Sequence, residues 1–195
     1  MRIPLLRFLL LLPSLLLPVS CASPAKRFYM LTAESPAPAA PGKKSPGIGV
    51  GPVSVAGYLD RPNLVFQETG NQLAISESNR WAGDLAENIT RVTATNLGRE
   101  LGTGNVRVYP WDHDSGLNYQ ISLDILHLHG GTDGSAVLDA SWRVYALPAR
   151  NIAASRSWSG TEPLRRDGYD ELAAAQSRLL ARLAREIAAG LRPGG

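Results

Sequence analysis

The sequence predicts an α+β fold, a two-layer sandwich in which a mostly antiparallel or mixed sheet carries two amphipathic helices on one face. Three observations lead there. Apolar residues fall near alternate positions in "IGVGPVSVAG" and through "NYQISLDILHLHGGTDGSAVLDASWRVYAL", the period of half-buried strands. Two other stretches, one ending near Gly102 and one near the C-terminus, repeat their apolar residues every three or four positions. Strands stand both before and between these two helices, and no internal repeat is visible.

The first segment, "MRIPLLRFLLLLPSLLLPVS", sets Arg2 and Arg7 ahead of an almost pure leucine run, the order of a secretory signal. Pro13 and Pro18 interrupt the run, which falls short of the ~20 apolar residues a membrane span needs. Val19 and Ser20 precede Cys21, the only cysteine, and the stretch resembles a bacterial lipobox with Pro18 where a leucine is usual. An unpaired thiol is a liability in an oxidising compartment, and acylation of Cys21 removes it. Residues 1–20 are therefore expected to be a lipoprotein signal peptide and 21–27 a lipid-anchored tether. Ala22, and not an aspartate, follows the cysteine, so the usual bacterial sorting rule directs the chain to the outer membrane.

Arg2 and Arg7 supply two of the three net positive charges, so the mature chain is close to neutral, which argues against a nucleic-acid partner, since that would call for a concentrated basic face. Apolar residues at 44% and charged residues at 19% describe one ordinary globular domain with a substantial core.

After the tether, "FYML" is followed by "TAESPAPAAPGKKSPG", whose Pro, Ala and Gly content predicts a flexible loop over 32–47. Composition alone makes Phe28–Leu31 part of a leash, with the domain starting near Ile48. "IGVGPVSVAG" reads as a strand with an irregularity at Pro52, and "NLVFQ" and "QLAIS" as a hairpin about "ETGN". In "SESNRWAGDLAENITRVTATNLGRELG" the spacing of Trp81, Leu85, Ile89, Val92 and Leu101 predicts a helix, capped by Ser76 or Ser78 and stopped at Gly102. "NVRVYP" is a strand. Two long strands then meet at the turn from Gly130 to Gly134, with Leu138, Ala140, Trp142 and Val144 on one face and Asp139, Ser141 and Arg143 on the other. "NIAASRSWSG" continues the meander, and Leu172, Leu179, Leu183 and Ile187 form the stripe of the second helix. Trp81 and Trp142 are the expected aromatic core.

Catalytic chemistry is hardly signalled. In "WDHD" His113 sits between Asp112 and Asp114, a set that could move a proton but reads more simply as a polar turn. His127 and His129 share one strand face while Asp124 falls on the opposite one, so a third metal ligand is missing. The glycines of "GIGVG" precede a strand and make no phosphate loop, and "NIT" at Asn88 falls within a helix. The expectation is no catalytic residue, no metal and no cofactor. "VAGYLDRPNLVF" stands out instead: Pro62 biases Arg61 to extended backbone, and Tyr58, Leu59, Asp60 and Arg61 offer either a strand connection or a partner-recognition loop.

These motifs occur in a recognisable order: "CASP", "RFYML", the run from Ile48 to Leu97 with "YLDRP" and "RW", then "RVYPW", "YQISLDI" and "WRVY". The chain resembles the PqiC (YmbA) family of ABC-type transport auxiliary lipoproteins across essentially its whole mature length. Tyr58, Leu59, Asp60, Arg61, Pro62 and Trp81 are the most specific part, and Gly57 stands where that family often has a proline. The resemblance implies a single PqiC-like domain over 28–195, with Phe28–Leu31 its first strand. It further implies an outer-membrane lipoprotein of a Gram-negative bacterium, facing the periplasm. There it would be a non-enzymatic accessory subunit of an MCE-type, PqiB-like lipid transport system and its inner-membrane partner, supporting envelope integrity. A ring-like partner also makes a homo-oligomer an expectation. The alternatives are a stand-alone envelope assembly or structural lipoprotein, and a periplasmic hydrolase using Asp112, His113 and Asp114.

Overall fold

The computed structural model describes residues 25–36 and 46–191; Cys21 and the rest of the expected signal and tether up to residue 24 lie outside them, as do 37–45. Eight strands and two helices follow the order β1 (Arg27–Tyr29), β2 (Ile48–Val55), β3 (Asn63–Thr69), β4 (Gln72–Trp81), α1 (Leu85–Leu101), β5 (Val106–Val108), β6 (Tyr119–Gly130), β7 (Ser135–Ala146), β8 (Asn151–Pro163) and α2 (Tyr169–Leu191). The fold is α+β with a mixed sheet. β3–β4, β6–β7 and β7–β8 are antiparallel, while β1–β4, β2–β5, β2–β6 and β3–β6 are parallel.

β6 organises the sheet. One edge of it pairs with β7 along almost its full length, and β8 extends that side. Its other edge is shared: Tyr119–Ile125 pair with β2, and Gly130 pairs with Phe66 of β3. The sheet therefore forks along this edge, with β2–β5 as one tine and β3–β4–β1 as the other. β2 shifts register between Val50 and Val53, around Pro52, where a residue without an N–H cannot hold a ladder bond.

Both helices cover one face. Val50, Ile121 and Val144 lie side by side in register, as do Leu123 and Trp142, and all are buried. A Cβ on Gly190 of α2 would come within 3.3 Å of the Trp142 ring, which places α2 directly over this row. Leu172, Leu179, Leu183 and Ile187 are buried along α2, and Ile89, Val92 and Leu97 along α1. On the opposite face Asp124, Ser141 and Arg143 stay wetter, and Arg143 reaches Asp124 at 3.5 Å.

Three expectations need correction. Trp81 does not open the first helix: it ends β4, its N–H donating to the Pro62 carbonyl at 2.6 Å, and is 4% exposed from that position. The interval from Trp81 to Leu85 mimics a helical step, but pairing with β3 decides the outcome. The cap is accordingly Asp84, whose carboxylate accepts from the Glu87 N–H at 2.7 Å, because Ser76 and Ser78 belong to β4. Third, residues 32–35, expected within a flexible loop, are bonded to both helices. The Thr32 N–H donates to Ser177 Oγ at 3.0 Å, the Ser35 N–H to Asn96 Oδ1 at 3.0 Å, and Arg99 donates to the carbonyls of Ala33 and Ser35. Gly102 does stop α1, at φ 61°, a left-handed conformation that glycine adopts without strain.

Candidate partner interface

The segment Gly57–Pro62 fills the fork. β2 makes its last bond to β6 through the Ala56 N–H and the Ile125 carbonyl at 2.9 Å; two tight turns follow, Leu59 N–H to Ala56 O at 2.8 Å and Arg61 N–H to Leu59 O at 2.7 Å. The chain then enters β3. Leu59 is 2% exposed, a wedge in the core, so it offers a partner nothing to read and leaves the set of contact candidates.

Tyr58, Asp60 and Arg61 remain accessible in different degrees. Asp60 is exposed, and Tyr58 and Arg61 are half-buried. The Tyr58 hydroxyl lies 3.1 Å from His127 Nδ1 and 3.4 Å from the Leu126 carbonyl, to which it donates. Burial pushes this hydroxyl above its ordinary pKa, the Leu128 backbone bond opposes the shift, and the Asp139 carboxylate adds to it. Tyr58 is therefore a neutral hydroxyl at physiological pH. Arg61 has no ion-pair partner among the described residues, and its Nε is buried without a hydrogen bond. Asp60 and Arg61 thus do not satisfy each other. Together with Val55, Pro62, Asp84 and Leu85 they line a groove of about 320 Å³ where the fork meets the start of α1.

The residues of the catalytic alternative line a groove of about 700 Å³ with Trp111 and Arg150, but no hydrogen bond joins the side chains of Asp112, His113 and Asp114. Asp112, His113 and Asp114 are exposed in a turn held by backbone atoms: Arg107 donates to the carbonyls of His113 at 2.7 Å and Ser115 at 2.9 Å, and the Leu117 N–H donates to Asp114 O. Trp111 is the packing residue of that motif, against Gly49 and edge-on to Tyr109 at 5.4 Å. His127 and His129 have rings 5.8 Å apart, with His129 turned to the Gly130 carbonyl. Among the described residues no group of three His, Cys, Asp or Glu could hold a metal ion.

The pairing of Tyr58 with His127 had no signal in the sequence, since it depends on which strand β2 adopts as neighbour. Nor did the ion cluster at the start of α2, where Arg178 meets Glu162 at 2.8 Å and Glu171 at 2.7 Å.

The family described as ABC-type transport auxiliary lipoprotein component matches residues 29–188, from β1 to the last turns of α2. The chain belongs to this family. As an auxiliary transport lipoprotein it is non-enzymatic in kind, anchored in the cell envelope and the companion of a transporter. Among the described residues no helix is long and apolar enough to cross a membrane. Two crystal structures share the auxiliary-lipoprotein fold seen here. One, of an uncharacterized protein, is 22% identical, covers 87% of this chain and 100% of its own, and superimposes with a TM-score of 0.72. The other, protein XCC0632 from Xanthomonas campestris, of family DUF330, is 18% identical, covers 83% of this chain and 92% of its own, with a TM-score of 0.67. No curated protein matches the chain.

Proposed function

We propose that this auxiliary lipoprotein is acylated on Cys21, resides on the periplasmic face of the outer membrane, and serves an MCE-domain, PqiB-like lipid transport system as its docking subunit. The family match over residues 29–188 is the observation that carries the reading, because it spans the fork, the Tyr58–Pro62 segment and both helices. Cys21 supplies the anchor and Ala22 the sorting signal. Tyr58, Asp60 and Arg61 are the contact residues: an aspartate and an arginine lining a groove, with the arginine Nε left unbonded by the domain and a half-buried tyrosine in the same segment, suit recognition of another protein.

The test is labelling and capture in a cell that makes the chain. Radiolabelled palmitate enters the wild-type protein and not Cys21→Ala, which leaves the membrane fraction; on a sucrose gradient the wild type sediments with outer membrane. An MCE-domain protein is retained on the tagged lipoprotein. Label kept by Cys21→Ala sinks the anchor, inner-membrane sedimentation sinks the location, and capture without any MCE-domain protein leaves the stand-alone envelope role.

A further inference from the structure

Strand β1 turns apolar side chains away from the domain. Tyr29 faces inward, its hydroxyl donating to Asn79 Oδ1 at 2.9 Å and its ring 6.3 Å from that of Tyr169, and Leu31 is buried. By the alternation of an extended chain, Phe28 and Met30 point the other way. At 62% and 63% they are the most exposed large apolar side chains among the described residues. Lys26 and Arg27, also exposed, stand immediately before them and have no ion-pair partner among the described residues. Isolated exposed apolar residues need no explanation, but two on one side of an edge strand, with the Lys26 cation set on that same side by the alternation, form a patch of definite chemistry.

The covalent distance to the anchor says what covers that patch. From Cys21 to Phe28 a fully extended chain spans at most about 25 Å, at ~3.6 Å per residue. A domain of this size is about 40 Å across, from a radius of gyration near 15 Å. Once Cys21 is acylated the β1 edge cannot leave the neighbourhood of the leaflet, and a surface tethered so closely meets it at high effective concentration. We propose that Phe28 and Met30 enter the interface of the bilayer that holds the Cys21 acyl chains, with Lys26 set against anionic headgroups, so that the domain lies with β1 down on the membrane and does not swing on its tether. The inference rests on the acylation of Cys21 proposed above. Basic side chains beside apolar ones are the composition of an interfacial anchor.

The experiment uses the full lipoprotein, acylated in cells and reconstituted into vesicles of phosphatidylethanolamine and phosphatidylglycerol. Because acylation blocks the one native cysteine, Phe28→Cys, Met30→Cys and Ile152→Cys each carry one free thiol for a nitroxide; Ile152, 61% exposed on β8, is the reference. Collision with oxygen relative to a water-soluble nickel chelate is expected to be several-fold higher at positions 28 and 30 than at 152. Probes at 28 and 30 as water-accessible as the one at 152 overturn the inference and leave the anchor standing, provided palmitate label is present in the same sample. Absence of label overturns the anchor and this inference with it. Protection at 28 and 30 that requires an added protein partner assigns the patch to that partner and overturns the membrane contact. Two independent probe positions guard against one substitution disturbing β1, and melting curves of each variant matching the wild type confirm the fold.

Discussion

Trp142→Ala tests the packing of α2 on the sheet. Trp142 is 1% exposed, sits between Leu123 of β6 and Arg156 of β8 in register, and meets α2 at Gly190. Truncating a buried tryptophan to alanine costs about 3 to 5 kcal/mol, the lost transfer free energy plus the cavity left behind. Against a total stability of about 5 to 15 kcal/mol the loss is large. For a domain of this size it lowers the melting temperature by about 6 to 20 °C, at ~2 to 4 °C per kcal/mol. Trp142→Phe should cost less than half as much, because it also removes the indole N–H, which is buried without a partner. A second substitution makes the test sharper. Gly190→Ala should add helix stability of about 0.5 to 1 kcal/mol, but in the wild type its methyl would stand 3.3 Å from the Trp142 ring, tighter than ordinary contact, so that the buried ring must shift to admit it. In the Trp142→Ala background that crowding is gone and the gain appears. Urea unfolding followed by circular dichroism measures all four proteins of the cycle. A melting temperature for Trp142→Ala within about 2 °C of wild type, or additive behaviour at Gly190, refutes the placement of α2 over this row.

Arg61→Ala should change stability by less than about 1 kcal/mol, since no buried partner is orphaned, while reducing retention of the MCE-domain partner; unchanged retention by a folded variant removes this segment from the interface. Asp84→Ala should lower the urea midpoint by the equivalent of about 1 kcal/mol through loss of the bond to the Glu87 N–H, and an unmoved midpoint argues against that cap. The hydrogen bond from Arg178 holds the Glu171 carboxyl below its ordinary value of 4.5, so the pair stabilises the fold above that value and loses its contribution as pH falls through the lower folded-state value. Arg178→Met should flatten that part of the acid limb in a pH series of thermal melts, and a limb of unaltered slope contradicts the assignment.

What the sequence made legible is local. The β6–β7 hairpin could be read because β7 alternates along its length and the turn is short, so Leu138, Ala140, Trp142 and Val144 declared their face before any partner was known, whereas β8 could be placed only as the continuation of that meander. The stripe of α2 was visible for the same reason. The region around Trp81 misled because four residues separate it from Leu85, a spacing shared by a helix and by a strand end running into a capped helix; only the bond from Trp81 to Pro62 decides between them. The fork was illegible. Nothing in "IGVGPVSV" names a parallel neighbour that arrives much later in the chain, and until that neighbour is known Leu59 cannot be told from an exposed loop residue. The Tyr58–Pro62 motif was found by its unusual composition, yet which of its side chains turn outward is set by strands it does not resemble.

Dependence on β6 also has a kinetic side. The Gln120 side chain donates to the Gly51 carbonyl across 69 residues of sequence, and at a synthesis rate of about 5 to 20 residues per second that interval lasts about 3 to 14 s. During it β1 to α1 exist without the strand on which both tines are assembled, and the β2 edge that will face β6 has nothing to bond, while β5 supplies the other edge only near the end of the interval. Contacts of such long range also slow folding relative to a helical bundle of the same size. The later meander, by contrast, pairs with itself through short turns and can form first. The C-terminal half is then the template on which the N-terminal half is completed, and a chain interrupted before Tyr119 presents an unpaired β2 edge open to association with other chains.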